Sequence, residues 1–183
     1  KRIIDELDLR NLDVNMVDKT KAQEIREKTE KAIANALAEE TGSLLSSFEV
    51  RKRLIKEITD EALGLGPLED LIADQGITDI LVNNKDQVYI ERNGKIELTT
   101  KRFISNERVK QIIERIIAPL GRRIDESSPM VDARLSDGSR VNAIIPPLSL
   151  TGPMLTIRKF GRDVFTVDTL FRYNSISKPM ADF

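Results

Sequence analysis

Residues 130–160 read MVDARLSDGSRVNAIIPPLSLTGPMLTIRKF and contain three short segments in which apolar residues alternate with other residues. Alternation is typical of half-buried β-strands, because successive side chains of a strand point to opposite faces of a sheet. Each segment carries one arginine on its polar face, namely Arg134, Arg140 and Arg158. The stretch therefore predicts three strands with arginines outside the core.

The turn ERNGK at 91–95 decides the register of an earlier hairpin. Its Asn-Gly pair favours a two-residue loop, but that loop would pair Ile90 with Glu97 and place a charge on the apolar face. A three-residue loop with a glycine bulge pairs Ile90 with Ile96 instead. Apolar alignment therefore predicts the longer loop, with Gly94 at positive φ.

The turn LSDGS at 135–139 follows the same rule. A three-residue loop, with its glycine at positive φ, pairs Ala133 with Val141 and keeps the apolar side chains on one face. The same register places Arg134 directly opposite Arg140. Like charges directly across a strand pair destabilise it by about 0.2 kcal/mol or more, so an anion is expected nearby.

The source of that negative charge has two explanations from the sequence. Asp132, Glu126 or Asp125 could neutralise the arginines within the protein. Alternatively, the face binds phosphate, since a planar guanidinium matches phosphate oxygens in a fork geometry that lysine lacks. If Leu155 and Ile157 face the core, Arg158 points to the same side as the arginine pair, which favours the second explanation.

The pattern of the chain up to residue 161 predicts an α+β fold in two parts. Residues 1–63 are rich in Lys, Glu, Ala and Leu and lack proline, which indicates a helical bundle region. The GLGPL sequence at 64–68 can end one helix and begin the next, so we place a domain boundary there. Residues 64–161 then combine short strands, predicted to form a mainly antiparallel sheet, with a helix that has Ser105 as its cap.

Composition excludes several kinds of chemistry. The chain has no cysteine and no histidine, and therefore no zinc site, thiol nucleophile or histidine-based triad; we predict no metal site. No phosphate-binding loop of the form G-x-x-x-x-G-K-[ST] is present. Nucleic-acid binding is disfavoured because the few aromatic residues do not interleave the basic positions. Without a long apolar run or a signal sequence, we expect a cytoplasmic protein.

Three phrases carry a resemblance to a known family: LGPLEDLIADQGITDILVN at 65–83, VYIERNGKIE at 88–97, and the long phrase from 120 to 160 that begins LGRRIDESSPMVDARL. The chain resembles the amino-terminal domain of type II/IV secretion-system ATPases, most closely the CpaF-like ATPases of Tad-type pilus assembly. The similarity is strong over residues 60–183 and looser before them.

The resemblance implies a hexameric motor at the cytoplasmic face of the inner membrane, in which a PAS-like amino-terminal domain sits on a RecA-like domain. ATP and Mg²⁺ would bind mainly through the RecA-like domain. Implied partners are that domain, the neighbouring subunits and an inner-membrane platform protein, with no direct membrane insertion. The chain ends at Phe183, and residues 162–183 resemble the linker toward the RecA-like domain, so we expect no ATP hydrolysis by this chain alone.

The resemblance also assigns roles to the arginines. Arg140 and Arg158 match the family's amino-terminal-domain arginines that reach the nucleotide phosphates, and Arg134 is a weaker third candidate. Beside a phosphoryl group in transfer they would act as arginine fingers. The alternative is a non-catalytic docking module of the same machinery, which would tolerate loss of the arginines.

Overall fold

The computed structural model describes residues 19–41, 47–161 and 166–181. Two helices, α1 (Lys19–Thr41) and α2 (Phe48–Leu63), pack against each other ahead of the sheet. The following elements are α3 (Leu68–Ala73), β1 (Ile77–Asn84), β2 (Gln87–Arg92), β3 (Lys95–Leu98), α4 (Asn106–Ile117), a 3₁₀ turn (Ala118–Leu120), β4 (Met130–Arg134), β5 (Arg140–Ile144), β6 (Met154–Arg158), α5 (Val167–Arg172) and α6 (Lys178–Ala181). The α+β class predicted from the sequence is confirmed.

The six strands form one antiparallel sheet in the order β3-β2-β1-β6-β5-β4. Strand β6 lies between β1 and β5, so it joins the two hairpins into one surface. The inward side chains of β1, β5 and β6 are buried together with the apolar stripe of α4. Ser105 caps α4, as predicted, because its hydroxyl accepts a hydrogen bond from the Arg108 amide at 3.2 Å.

The face of the sheet opposite α4, called here the open face, is only partly covered. Its side chains are exposed or half-buried on every strand, whereas their neighbours on the α4 side are largely buried on every strand except β3. Charged residues therefore occupy this face at no cost to the core. Among the described helices, none is long and apolar enough to cross a membrane.

The β4–β5 hairpin has the predicted register. Ala133 pairs with Val141, and Arg134 lies directly opposite Arg140. The Leu135 carbonyl accepts from the amide of Gly138, whose φ of 90° is positive as expected. Val141 is buried, so a register shift of one residue would expose it.

The β2–β3 hairpin contradicts the predicted register. Ile90 pairs with Glu97 rather than with Ile96, across a two-residue turn in which Asn93 (φ 51°) and Gly94 (φ 75°) are both left-handed. The prediction of positive φ at Gly94 is confirmed, but the three-residue loop is wrong. The physical reason is that β3 is an edge strand with all four residues exposed. Burial therefore does not enforce the apolar register on β3, and the two-residue turn that Asn-Gly prefers sets the pairing.

Ion pairs connect the helical region to the sheet region. The Arg108 guanidinium of α4 donates to the Glu61 carboxylate of α2 at 2.8 Å, with both side chains mostly buried. The Lys56 ammonium of α2 donates to Asp70 of α3 at 2.6 Å. Helix α2 is thereby held against the sheet region, although the domain boundary at residue 64 stays a prediction.

Candidate functional site

The register of three adjacent strands places the three predicted arginines side by side. Arg134 of β4 pairs with Arg140 of β5, and Arg140 pairs with Arg158 of β6. Arg158 pairs in turn with Asp79 of β1. The open face therefore carries a row of four charged residues, called here the arginine row, in the order Arg134, Arg140, Arg158 and Asp79.

Arg158 is held by its inner nitrogen. Its Nε donates to Asp79 Oδ1 at 2.9 Å, and this hydrogen bond raises the pKa of the guanidinium above its ordinary value. In the part of the chain that the structure describes, its two terminal nitrogens make no hydrogen bond. The fork that carboxylates and phosphates recognise is therefore available to a ligand.

The other two arginines have weaker partners. Arg134 Nε donates to the carbonyl oxygen of Gly138 at 3.3 Å within the hairpin turn. Over residues 19–41, 47–161 and 166–181, the Arg140 side chain makes no hydrogen bond or ion pair, and it is exposed. A cation between two other cations, with no carboxylate partner in the described part of the chain, favours binding of an anion.

The carboxylates proposed from the sequence as internal partners are engaged elsewhere or do not contact the arginines. Asp132 lies on the open face, but its Oδ1 accepts from Asn142 Nδ2 at 2.9 Å. Asp125 accepts from the amides of Ser127 and Ser128 within its own turn. Glu126 is exposed and makes no ion pair with an arginine of the row.

Asp79 is the carboxylate that sequence reasoning missed. It lies in the segment ITDILVN, where Ile80 and Val82 point inward, so its outward direction was readable from alternation. Its place beside Arg158 was not readable, because it depends on β6 pairing with β1 across a long sequence separation.

The arginine row lines a concavity of about 490 Å³ on the open face, together with Asp132, Asn142 and Thr156. Three guanidinium groups outnumber two carboxylates there, so the lining carries a net positive charge. Within the described ranges, no cluster of three or more carboxylates could hold a metal ion. The lining can bind and stabilise an anion, but it presents no histidine or cysteine for acid–base or nucleophilic chemistry.

Curated relatives match about two-thirds of the chain. A protein of Mycobacterium tuberculosis named "Putative conjugal transfer protein" is 30% identical over 121 residues, which are 63% of this chain and 34% of that protein. An uncharacterized protein of Methanocaldococcus jannaschii is 34% identical over 120 residues, which are 65% of this chain and 17% of that protein. The chain thus matches about a third or less of the length of these relatives.

A solved structure shares the fold. It is the VirB11 ATPase from the Brucella suis type IV secretion system, in complex with sulphate, which aligns with a TM-score of 0.55 and 23% identity over 60% of this chain and 34% of its own.

A family model adds the decisive match. The model of the type II/IV secretion system proteins matches residues 61–181, a range that includes all six strands and the whole arginine row. This range is well over half of the 183 residues. The chain therefore belongs to the type II/IV secretion system protein family.

Proposed function

We propose that this chain is the amino-terminal domain of a hexameric cytoplasmic ATPase, CpaF-like in type, that powers Tad-type pilus assembly or a related type II/IV secretion process. Within it, Arg140 and Arg158, with Arg134 as a third, face the phosphates of the nucleotide. The observation that carries the proposal is the arginine row, in which Arg140 has no internal partner in the described residues. Family membership supports the proposal.

The chemistry follows from the geometry of the arginines. The transferred phosphoryl group spreads negative charge over its equatorial oxygens in the transition state, and catalysis depends mainly on positioning and electrostatic stabilisation. The terminal nitrogens of Arg158 and the exposed side chain of Arg140 can donate to those oxygens. ATP is held mainly by a RecA-like domain outside this chain, where Mg²⁺ supplies further charge neutralisation.

The proposed partners follow from this role. The RecA-like domain brings the nucleotide against the open face, either within one subunit or from its neighbour in the ring. An inner-membrane platform protein receives the motion, so the motor lies at the cytoplasmic side of the membrane through its partners.

A docking module of the same machinery is the second candidate. Ile96 and Leu98 of the edge strand β3 favour it, because their side chains are 64% and 60% exposed on the open face. Exposed apolar residues on an unpaired edge strand are a feature of strand-mediated protein contacts. The two candidates differ in what they require of the arginine row.

The test is ATP hydrolysis by the full-length protein with Arg140→Ala and Arg158→Ala. An arginine finger contributes a factor of roughly 10³ or more to phosphoryl transfer, so we expect a loss of that order for each variant. Each melting temperature should stay near that of the unaltered protein, because an exposed side chain is removed from the open face and no cavity forms. Lys95→Ala on the other hairpin is the matched control, because it also removes an exposed cation beside a turn.

Near-normal hydrolysis by both arginine variants, with intact folding, would reject the phosphate role and favour the docking module. A collapsed melting temperature would show instead that the arginines hold the fold. Normal hydrolysis by the Lys95 variant is required for either interpretation.

A further inference from the structure

We propose that Asp79 is a positioning residue for Arg158, and that it turns the free fork of this guanidinium toward a bound phosphate. The inference rests on the proposed function and adds to it a residue that does not touch the nucleotide. Asp79 and Arg158 are direct partners on the neighbouring strands β1 and β6, so the backbone brings their side chains together on the open face.

The two side chains differ in how firmly they are held. The Asp79 side chain is 14% exposed, whereas that of Arg158 is 71% exposed. The hydrogen bond joins the less exposed Asp79 to Nε, the inner nitrogen of the long arginine side chain. A fixed acceptor therefore restrains the base of the guanidinium, while the two terminal nitrogens stay open to solvent.

This arrangement lowers the entropic cost of binding. Ordering one rotamer-rich side chain at an interface costs about 0.5–1.5 kcal/mol, which corresponds to about twofold to tenfold in affinity. Because Asp79 restrains Arg158 before a ligand binds, part of that ordering cost is already met in the unbound protein. The negative charge of Asp79 opposes anion binding, so loss of the charge alone would strengthen that binding. A weaker affinity for the anion after removal of Asp79 would therefore report its effect on geometry.

Two substitutions at Asp79 separate geometry from charge. Asp79→Asn keeps an oxygen that accepts from Nε but removes the negative charge. Asp79→Ala removes both. Asp132→Ala is the matched control, because Asp132 is a carboxylate of the same concavity whose oxygen accepts from Asn142 and not from an arginine.

The experiment titrates inorganic pyrophosphate into the 183-residue chain at constant ionic strength and follows the arginine Nε–H signals by NMR. The variants are Asp79→Ala and Asp79→Asn, each with and without Arg158→Ala, and Asp132→Ala. The backbone amide spectrum of each variant reports whether the fold is kept.

We expect Asp79→Ala to bind pyrophosphate about threefold to tenfold more weakly than Asp79→Asn. The difference should vanish when Arg158 is alanine, because Asp79 then has no guanidinium to position. Asp132→Ala, which removes a negative charge of the concavity but no acceptor of Arg158, should bind at least as tightly as the unaltered chain. The Arg158 Nε–H signal should move in Asp79→Ala and stay near its place in Asp132→Ala.

Equal affinities for the Ala and Asn variants, with Arg158→Ala still weakening binding, would overturn the positioning role and leave the phosphate site intact. An Ala–Asn difference that persists without Arg158 would also overturn it. Pyrophosphate binding that is absent, or indifferent to Arg158→Ala, would instead reject the phosphate site, and the positioning role would fail with it. An Asp79→Ala variant that loses its fold would overturn the positioning role in favour of a structural one.

Discussion

The two hairpins of the sheet both bring like charges into direct opposition beside their turns, but among the described residues a carboxylate neutralises only one of the two pairs. In the β2–β3 hairpin Arg92 lies opposite Lys95, and Arg92 Nη2 donates to Asp74 Oδ2 at 2.7 Å. In the β4–β5 hairpin Arg134 lies opposite Arg140, and no carboxylate of the described residues contacts either one. A like-charge pair alone therefore does not indicate an anion site. A like-charge pair that lacks a carboxylate partner among the described residues does indicate one.

The hairpins also differ in what sets their register. The β4–β5 pairing buries Val131, Val141 and Ala143, so the apolar pattern and the turn must agree. The β2–β3 pairing leaves Ile96 and Leu98 exposed, and the turn alone decides. Burial thus fixes the strand pair that carries the arginines more firmly than the edge pair.

The largest expected contrast is catalytic. In the full-length protein, Arg140→Lys should lower ATP turnover at least about tenfold, because lysine keeps the charge but lacks the planar fork. Arg92→Lys is the same chemical change on the other hairpin, and turnover should stay within about twofold. Steady-state hydrolysis measures both; equal losses for the two variants would remove the functional distinction between the hairpins.

The second contrast concerns stability. Val141→Ala removes two methyl groups from the core and should cost about 2 kcal/mol of unfolding free energy. Ile96→Ala shortens an exposed side chain and should change the unfolding free energy by no more than about 0.5 kcal/mol. Urea denaturation of the two variants provides the measurement. A large loss for Ile96→Ala would mean that the open side of β3 is covered in solution.

Val141 and Ile96 also show how much the sequence could predict. Alternation placed Val141 inward and Arg140 outward correctly, because a buried strand face leaves one register. Ile96 misled the register prediction, since its hydrophobicity implied a burial that an edge strand does not provide. The contact of Asp79 with Arg158 needed the strand order, which arises from pairing between distant segments rather than from any local pattern.

The third contrast concerns the two turn glycines, both at positive φ. A Cβ on Gly94 would meet nothing within 4 Å, whereas one on Gly138 would come within 3.1 Å of the Phe160 ring. Gly94→Ala should therefore cost about 1 kcal/mol for the left-handed backbone alone, and Gly138→Ala about 1 kcal/mol more for the crowding. Thermal or urea unfolding gives the difference, and adding Phe160→Ala should abolish most of it. If the difference persists in that background, the ring is not its cause.

The smallest expected effect tests the neutralised pair itself. The hydrogen bond from Arg92, followed by that from the Gly76 amide, holds the pKa of Asp74 below its ordinary value. A depressed carboxyl pKa contributes stability above the ordinary value of about 4, and this contribution is lost as the pH falls through the lower folded value. Arg92→Ala should raise the pKa of Asp74 toward the ordinary value and make stability less dependent on pH in that range. Arg134→Ala, on the hairpin for which the described residues supply no carboxylate partner, should leave the Asp74 titration unchanged. A carboxyl-carbon NMR titration measures the pKa of Asp74. If Arg92→Ala leaves this pKa unchanged, the β2–β3 pair is not neutralised in solution, and the difference between the hairpins disappears.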